Sequence, residues 1–381
     1  MPMTTRRFKD TPLQISLLGL GTMRLPRVNP DEGKIDDVPA KAILDYALAH
    51  GVNYIDTAYM YHDGDSERFL GDALADHDRA SYYLADKMPI WMAKEPADLE
   101  KIFTEQLRRL KTDYIDFYLF HSMNKTHFAL CQELGLYEFL QKKKAEGKIR
   151  YLGFSFHDAP EMLEEIVNTY QWDFAQIQLN YADWVIQDAR RQYEILEEHG
   201  IPCIVMEPVR GGALADICPS ANEMLKAARP DASIASWAIR YAATKPNVLT
   251  VLSGMSNLDQ LKDNLATLSD FEPVTEEEDA LLARAAHEWR MKDVIPCTAC
   301  RYCMDCPAGV DIPAMFALFN EFAMNKRRGK YAKALNEADP ATLARNCVAC
   351  GECAIHCPQQ IAIPEKMAEL AKWEEKLIKQ A

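Results

Sequence analysis

The sequence has no long apolar run. Nowhere does it approach the ~18–20 consecutive apolar residues that a helix needs to cross a bilayer, so no membrane partner is expected. The opening, MPMTTRRFKD, is polar and lacks the apolar stretch of a secretory signal, so a cytoplasmic location is expected. Positive charge is in deficit: 43 Lys and Arg stand against 57 Asp and Glu, a formal net charge of −14. Such a chain repels nucleic acid and anionic lipid, and suits small molecules or basic patches on redox partners. A G-x-G-x-x-G is missing as well. Gly19-Leu20-Gly21-Thr22 follows the first apolar run but lacks the third glycine, which counts against an open dinucleotide-binding sheet. No sequence signal marks a flavin.

What is present is cysteine, and its placement is specific. Eight of the eleven cysteines fall in two runs, each closed by proline. The first is Cys297-x2-Cys300-x2-Cys303-x2-Cys306-Pro307, and the second is Cys347-x2-Cys350-x2-Cys353-x3-Cys357-Pro358. Four thiolates in a short loop before a proline are how proteins hold a [4Fe–4S] cluster. Zinc usually takes cysteines as two separated pairs, which this tight run does not provide. Two [4Fe–4S] clusters are therefore expected. In two-cluster ferredoxins the fourth cysteine of each run ligates the other cluster. That rule groups Cys297, Cys300, Cys303 and Cys357 at one site, and Cys347, Cys350, Cys353 and Cys306 at the other. The first run departs from the usual pattern by having x2 before its last cysteine. The remaining Cys131, Cys203 and Cys218 read as small buried apolar residues. A purely structural reading of the clusters, as staples of a small domain, stands beside an electron-handling one.

Ahead of the cysteines, residues 14–270 alternate between strand-like and helix-like stretches. The strand-like runs are Ile15–Leu18, Tyr54–Asp56, Tyr82–Ala85, Tyr114–His121, Tyr151–Phe156, Phe174–Leu179, Pro202–Met206 and Val248–Leu252. Helical stretches separate them, such as Ala40–Ala49, Asp98–Lys111 and Leu258–Leu265. Eight strand–helix units over this length predict an α/β fold, a (β/α)8 TIM barrel, spanning residues 1–272. A smaller, mainly helical ferredoxin-like domain is expected over 273–381. Thr275 with Glu278 three positions on is a capping-box signature for its first helix. An internal repeat relates Cys306–Pro313 to Cys357–Pro364. The tail, Glu365–Gln380, reads as a surface helix.

In such a barrel chemistry sits at the carboxyl ends of the strands. Asp56 ends the second run, with Tyr61 five positions later; Lys87 ends the third and His121 the fourth. A lone lysine or histidine there is more often a surface or packing residue. The joint placement on three consecutive strands is the signal. Trp91 and Tyr59 either line a substrate mouth or pack in the core.

Asp56-x4-Tyr61, the Lys87 strand end and Tyr-Ile-Asp-x-Tyr-Leu-x-His121 together resemble the aldo/keto reductase superfamily over residues 13–268. The resemblance implies an oxidoreductase acting on a carbonyl or alcohol substrate with NAD(P)(H). It implies Tyr61 as general acid, Lys87 held by Asp56 and lowering the tyrosine pKa, and His121 orienting the carbonyl. It also implies cofactor contacts from Gly21, Thr22 and Met23 after the first strand, from Asp56, and from Ser155 and Gln176. Further contacts are implied from Met206, Glu207, Pro208, Gly211 and Gly212, and from Ser253, Gly254, Met255, Asn257, Gln260 and Asn264 after the eighth strand. His157 stands in the stretch where the family usually has asparagine. Gly254 and Gln260 occupy positions where NADP-preferring relatives place cations, so NAD is favoured over NADP; Lys262 and Arg210 are alternative cations.

Hydride carries two electrons and a cluster passes one. Barrel chemistry is therefore expected to run without the clusters, which leaves room for a one-electron redox partner protein. The alternative is a non-enzymatic, nicotinamide-responsive redox sensor or electron-transfer adaptor.

Overall fold

The computed structural model describes residues 2–29, 33–290, 294–325 and 328–378. It begins with β1 (Thr5–Arg7) and β2 (Gln14–Ser16), an antiparallel pair. Eight parallel strands then close into a barrel: β3 (Leu18–Gly21), β4 (Tyr54–Asp56), β5 (Tyr83–Met88), β6 (Ile115–Met123), β7 (Ile149–Phe156), β8 (Phe174–Gln178), β9 (Cys203–Met206) and β10 (Val248–Gly254). Each is hydrogen-bonded to its neighbour in chain order, and β10 pairs with β3 to complete the ring.

The first strand differs from the sequence expectation. The run Ile15–Leu18 is split, its first part pairing with β1 and its end opening β3. Ser16 causes the break. Its amide donates to Asn53 Oδ1 at 2.8 Å, and its hydroxyl donates to the Leu18 carbonyl at 2.7 Å, so the chain turns rather than continuing one ladder. The pair has a use of its own. Phe8 and Ile15 are fully buried against Tyr54, Phe117 and Phe174, near the amino ends of their strands, with Phe8 edge-on to Phe117 at 5.3 Å. That end of the barrel is plugged, and the carboxyl ends are left for chemistry.

The helices around the barrel are α1 (Asp37–Ala49), α2 (Asp65–Ala73), α3 (Pro96–Leu110), α4 (Lys125–Glu133), α5 (Leu136–Ala145), α6 (Pro160–Thr169), α7 (Asp183–Ile186) and α8 (Ala189–Glu198). Then come α9 (Pro219–Ala228), α10 (Ile234–Thr244) and α11 (Leu258–Ser269). In α3, Glu95 and Asp98 form a reciprocal capping box, Pro96 starts the helix, and Lys111 ends it in the left-handed region. Its buried face is Leu99, Ile102, Phe103, Gln106 and Leu110, a helical stripe with one polar member. Each apolar side chain of the stripe contributes about 1.5–3 kcal/mol of burial.

By compactness the chain divides into two units. One holds Met1–Pro208 and Ser236–Glu276; the other holds Val209–Ala235 and Glu277–Ala381. The second contains α12 (Glu276–Arg290) beyond its first residue, α13 (Ile312–Asn325), α14 (Arg328–Glu337), α15 (Glu352–Ile355) and α16 (Ile363–Ile378). Its core joins Val310, Ile312, Met315, Phe316, Tyr331, Leu335, Ile361, Ile363, Met367 and Leu370. The tail is a surface helix with one buried side. Ile363, Met367, Leu370 and Glu374 form a buried stripe along α16, and the Glu374 carboxylate accepts the amides of Ala344 at 2.9 Å and Arg345 at 3.2 Å. Gln380, the expected end of that helix, lies outside the described residues. Among the described residues no helix is long and apolar enough to cross a membrane.

Candidate active site and cluster loops

The carboxyl ends of β4, β5 and β6 bring four predicted residues together. Lys87 is fully buried, and its Nζ donates to Asp56 Oδ1 and to the Thr57 carbonyl, both at 2.7 Å. The same ammonium lies 4.8 Å from the centroid of the Tyr61 ring. His121 is edge-on to Tyr61 at 6.2 Å. Local backbone features position two of these side chains. Tyr61 opens a turn in which His62, Asp63 and Gly64 all have positive φ, a conformation that costs each non-glycine residue about 1–2 kcal/mol. His121 precedes a register shift in β6, where Ser122 has φ 55° and donates its amide to Ser155 Oγ at 2.7 Å.

The electrostatics follow from burial. Desolvation, then the negative charges of Asp56 and Glu207, push the Tyr61 hydroxyl well above the ordinary phenol range, while Arg24 acts the other way. The lowering expected from Lys87 does not prevail. Tyr61 is thus kept protonated, the form a general acid requires. Burial raises the Asp56 carboxyl, and Lys87 opposes the rise. His121 is held well below the usual imidazole range by burial, then by Lys87, His157 and His127, so its ring is neutral. Trp91 lies 5.0 Å from His121 and stacks on His127, also at 5.0 Å, which puts it beside the reacting groups.

Within the first compact unit, several residues expected to hold the nucleotide lie at the same strand ends. Gly21 pairs with Gly254 and with Asp56 at the ends of β3, β10 and β4. Thr22 donates its hydroxyl to the Asp56 carbonyl at 2.9 Å. Met23 follows in the same turn. Gln176 Nε2 contacts Met206 Sδ at 3.5 Å, while Gln176 Oε1 and Asp56 Oδ2 are buried without a hydrogen-bond partner among the described residues. Two buried acceptors lacking donors fit the amide of a nicotinamide and the hydroxyls of its ribose. Glu207, before Pro208, has φ 53° and accepts Asn180 Nδ2 on its carbonyl at 3.0 Å. Ser253 accepts Asn264 Nδ2 at 2.9 Å, and Met255 is buried. Asn257 caps α11 through the Gln260 amide at 2.9 Å, and Gln260 returns its Oε1 to the Ser256 amide at 2.7 Å. This capped helix start is a natural anion site. Gly211 and Gly212, at φ 64° and 97°, belong to the second compact unit. There a Cβ on Gly211 would lie 2.3 Å from the Thr298 carbonyl oxygen. Arg210 is buried with its guanidinium 5.2 Å over Trp289, and Lys262 lies 5.8 Å over Tyr46. Arg210 is therefore committed elsewhere.

Two features escaped sequence reasoning. Arg24 pairs with Glu207 at 3.8 Å, and its carbonyl accepts the Ser256 hydroxyl at 2.8 Å. It thus joins the loops after β3, β9 and β10. Its position one residue past Gly21-Thr22-Met23 was the available signal. The other is a buried polar group behind β5 formed by Glu67, Asp86 and Gln106.

The cysteine loops repeat at backbone level. Ala299 and Ala349 both have positive φ, and both donate their amides to the preceding cysteine sulfur, Cys297 Sγ at 3.3 Å and Cys347 Sγ at 3.4 Å. Gly309 and Gln360, three residues past Cys306 and Cys357, share positive φ and the same amide-to-cysteine-carbonyl bond at 3.0 Å. Two cavities result. Cys297, Cys300, Cys303 and Cys357 line one; Cys306, Cys347, Cys350 and Cys353 line the other, and Ile312 borders both. Burial, then crowding by Cys300, Cys297 and Cys357, pushes the Cys303 thiol up. Cys353 is raised likewise by burial and by Cys347, Cys306 and Cys350. Among the described residues no three Cys, His, Asp or Glu side chains converge on a single ion. Four thiols around a cavity, with amides aimed at sulfur, fit a polynuclear cluster better than one zinc ion. Cys131, Cys203 and Cys218 are buried, as their apolar reading requires.

Comparison with known proteins agrees with this layout. A family model described as a 4Fe-4S dicluster domain matches residues 296–362. An uncharacterized oxidoreductase of Bacillus subtilis is 29% identical over 308 residues, covering 72% of this chain and 94% of its own. An NADH-specific methylglyoxal reductase of Escherichia coli is 26% identical over 308 residues, covering 68% and 91%. A crystal structure of an aldo-keto reductase from Klebsiella pneumoniae in complex with NADPH is 25% identical, covers 74% of this chain and 95% of its own, and superposes with a TM-score of 0.61. A model of the aldo/keto reductase family itself spans residues 17–286, and with barrel, strand-end residues and sequence in accord, the chain belongs to that family.

Proposed function

We propose that the barrel reduces a small aldehyde or ketone, or oxidises the matching alcohol, with Tyr61 as the general acid. The carrying observation is the Lys87 ammonium, 2.7 Å from Asp56 Oδ1 and 4.8 Å from the Tyr61 ring. A nicotinamide cofactor supplies or accepts the hydride. The chain's own residues do the rest. Neutral His121 directs the carbonyl oxygen towards Tyr61, whose proton neutralises the developing alkoxide. Lys87 stays beside the phenolate left behind, and Asp56 keeps that lysine in place. Gln176 Oε1 and Asp56 Oδ2 are the acceptors proposed for nicotinamide and ribose.

The nucleotide is proposed to be NADH. Gln260 spends its side chain on the Ser256 amide, and Gly254 offers no cation, so a 2′-phosphate finds little there. The NADH-specific methylglyoxal reductase among the relatives supports this choice, and the NADPH complex of the Klebsiella protein weighs against it. In the C-terminal unit, Cys297, Cys300, Cys303 and Cys357 are proposed to bind one [4Fe–4S] cluster, and Cys347, Cys350, Cys353 and Cys306 the second. Cys350 is exposed, which suits exchange of single electrons with a partner protein. Anaerobic assays with NADH and NADPH over short aldehydes and ketones, methylglyoxal included, test the reading. Carbonyl-dependent NADH consumption is expected. Tight nucleotide binding with no turnover on any carbonyl, and none in reverse on the alcohols, would overturn it.

A further inference from the structure

Behind the catalytic strand lies a buried network that the proposed chemistry does not use. Asp86, Glu67 and Gln106 are all fully buried. They come from β5, α2 and α3 and meet on the outer side of β5, next in sequence to Lys87. Asp86 Oδ1 accepts the Lys87 backbone amide at 2.8 Å, and Asp86 Oδ2 accepts Gln106 Nε2 at 2.8 Å. The same Nε2 reaches the Lys87 carbonyl at 2.9 Å and Glu67 Oε1 at 3.2 Å. Tyr118 donates its hydroxyl to Gln106 Oε1. Both main-chain polar groups of Lys87 are thus held from behind, while its ammonium works in front.

The two carboxyl groups are neighbours, since Glu67 Oε1 and Asp86 Oδ2 both accept the one Gln106 Nε2. Two buried carboxyl groups at such range disfavour ionising together. Glu67 has a cation of its own, Arg109 Nη1 at 2.9 Å from Oε2. Among the described residues Asp86 has no ion pair, and burial, then Glu67, push its carboxyl well up against a lowering by Lys87. A proton retained by the pair therefore belongs on Asp86. We propose that Asp86, with Glu67 and Gln106, forms a positioning clamp on the main chain of Lys87, fixing the place of that lysine beside Tyr61. The clamp deepens the proposed function and rests on it.

The charge state of the clamp matters as well, because a negative charge on Asp86 would raise the Tyr61 hydroxyl. The charged and titratable groups facing Tyr61 are Lys87, Asp56, Glu207, Arg24, His121 and Asp86; those facing the pair are Lys87, Arg109 and Tyr118. With the proton on Asp86, the negative charge rests on Glu67 beside Arg109. Were Glu67 neutral, the charge would move to Asp86 and raise the Tyr61 pKa further.

The test uses the full-length, cluster-loaded chain. Infrared spectra at pH 8 are expected to contain a protonated carboxylic acid band that both Asp86→Asn and Glu67→Gln remove. Asp86→Asn keeps an acceptor for the Lys87 amide but turns an amino group towards Gln106 Nε2, so it should retain more kcat than Asp86→Ala, with the alkaline limb of the reduction profile near wild type. Asp86→Ala should lose about ten- to a hundredfold in kcat, the penalty for a misplaced catalytic group, with nucleotide affinity within twofold. Glu67→Gln should move the alkaline limb to higher pH, which a merely structural defect would not do. The charge assignment is overturned if the band survives both variants, and the clamp itself if Asp86→Ala and Glu67→Gln only scale the profile down in step with lost folded protein. Tyr61→Phe run in parallel separates the two ideas: if it retains turnover the tyrosine reading fails, whereas a dead Tyr61→Phe with an unaltered Asp86→Ala removes the clamp alone.

Discussion

Lys87 Nζ sits 2.7 Å from Asp56 Oδ1, and both side chains are buried at the carboxyl ends of neighbouring strands. Breaking a buried pair by removing one partner typically costs about 3–5 kcal/mol. The two removals are not equivalent. Asp56→Ala strands an ammonium, whereas Lys87→Met strands a carboxyl that burial already raises and that can neutralise itself by taking a proton. Thermal unfolding should therefore show Asp56→Ala as the less stable variant, with both lacking turnover. Equal melting of Asp56→Ala and wild type would contradict the pairing.

His157 gives a pH dependence with a definite sign. Its pKa falls from 6.5 to about 4, mainly through burial and secondly through His127. A depressed folded-state value means stability that is complete above 6.5 and is lost as pH falls through about 4. The contribution is up to about 3 kcal/mol, less whatever water reaches its partly exposed edge. The raised carboxyls of Asp86 and Glu67 act oppositely, favouring the fold as pH falls, so the comparison must be differential. Between pH 7 and pH 5 the melting temperature of His157→Asn should drop less than that of wild type; parallel drops would refute the assignment.

Crossed ligation of the clusters is testable by counting iron. In the double variant Cys300→Ala/Cys357→Ala both losses fall on one site, so anaerobically purified protein should keep about half the iron and one cluster signal by electron paramagnetic resonance. If each run served its own cluster, the same variant would damage both.

Nucleotide choice should respond to a cation at Gln260. A hydrogen bond to a charged group is worth about 1.5–3 kcal/mol, so Gln260→Arg should raise the NADPH-to-NADH ratio of kcat/KM by about tenfold or more. The helix loses its cap on Ser256, so a small fall in melting temperature is also expected. An unchanged ratio would mean that the 2′ position lies elsewhere. Arg24→Ala should weaken both nucleotides alike if that arginine serves the pyrophosphate shared by the two.

The legible parts of this molecule are those in which chemistry adjoins an apolar run. Asp56, Lys87 and His121 each end a strand whose buried residues announce it, so their convergence could be anticipated. The eight ring strands could also be anticipated, apart from the first, where Ser16 diverts the chain into a hairpin that composition does not reveal. α4, α7 and α9 were not foreseen, since α7 is a single turn and α9 follows Cys218-Pro219 in a loop region. The Asp86 network was illegible for a different reason. Its members lie on three elements and meet only through packing. Gln106 was the one clue, a polar residue on the buried stripe of α3.

The most direct test of the central claim is the rate of carbonyl reduction by Tyr61→Phe in the full, cluster-loaded chain, measured with nucleotide affinity on the same sample. General acid catalysis contributes about 10²–10⁴-fold. The account predicts that kcat falls by that order while NADH affinity stays within a few-fold. A Tyr61→Phe enzyme that reduces the same carbonyl at the wild-type rate would contradict it.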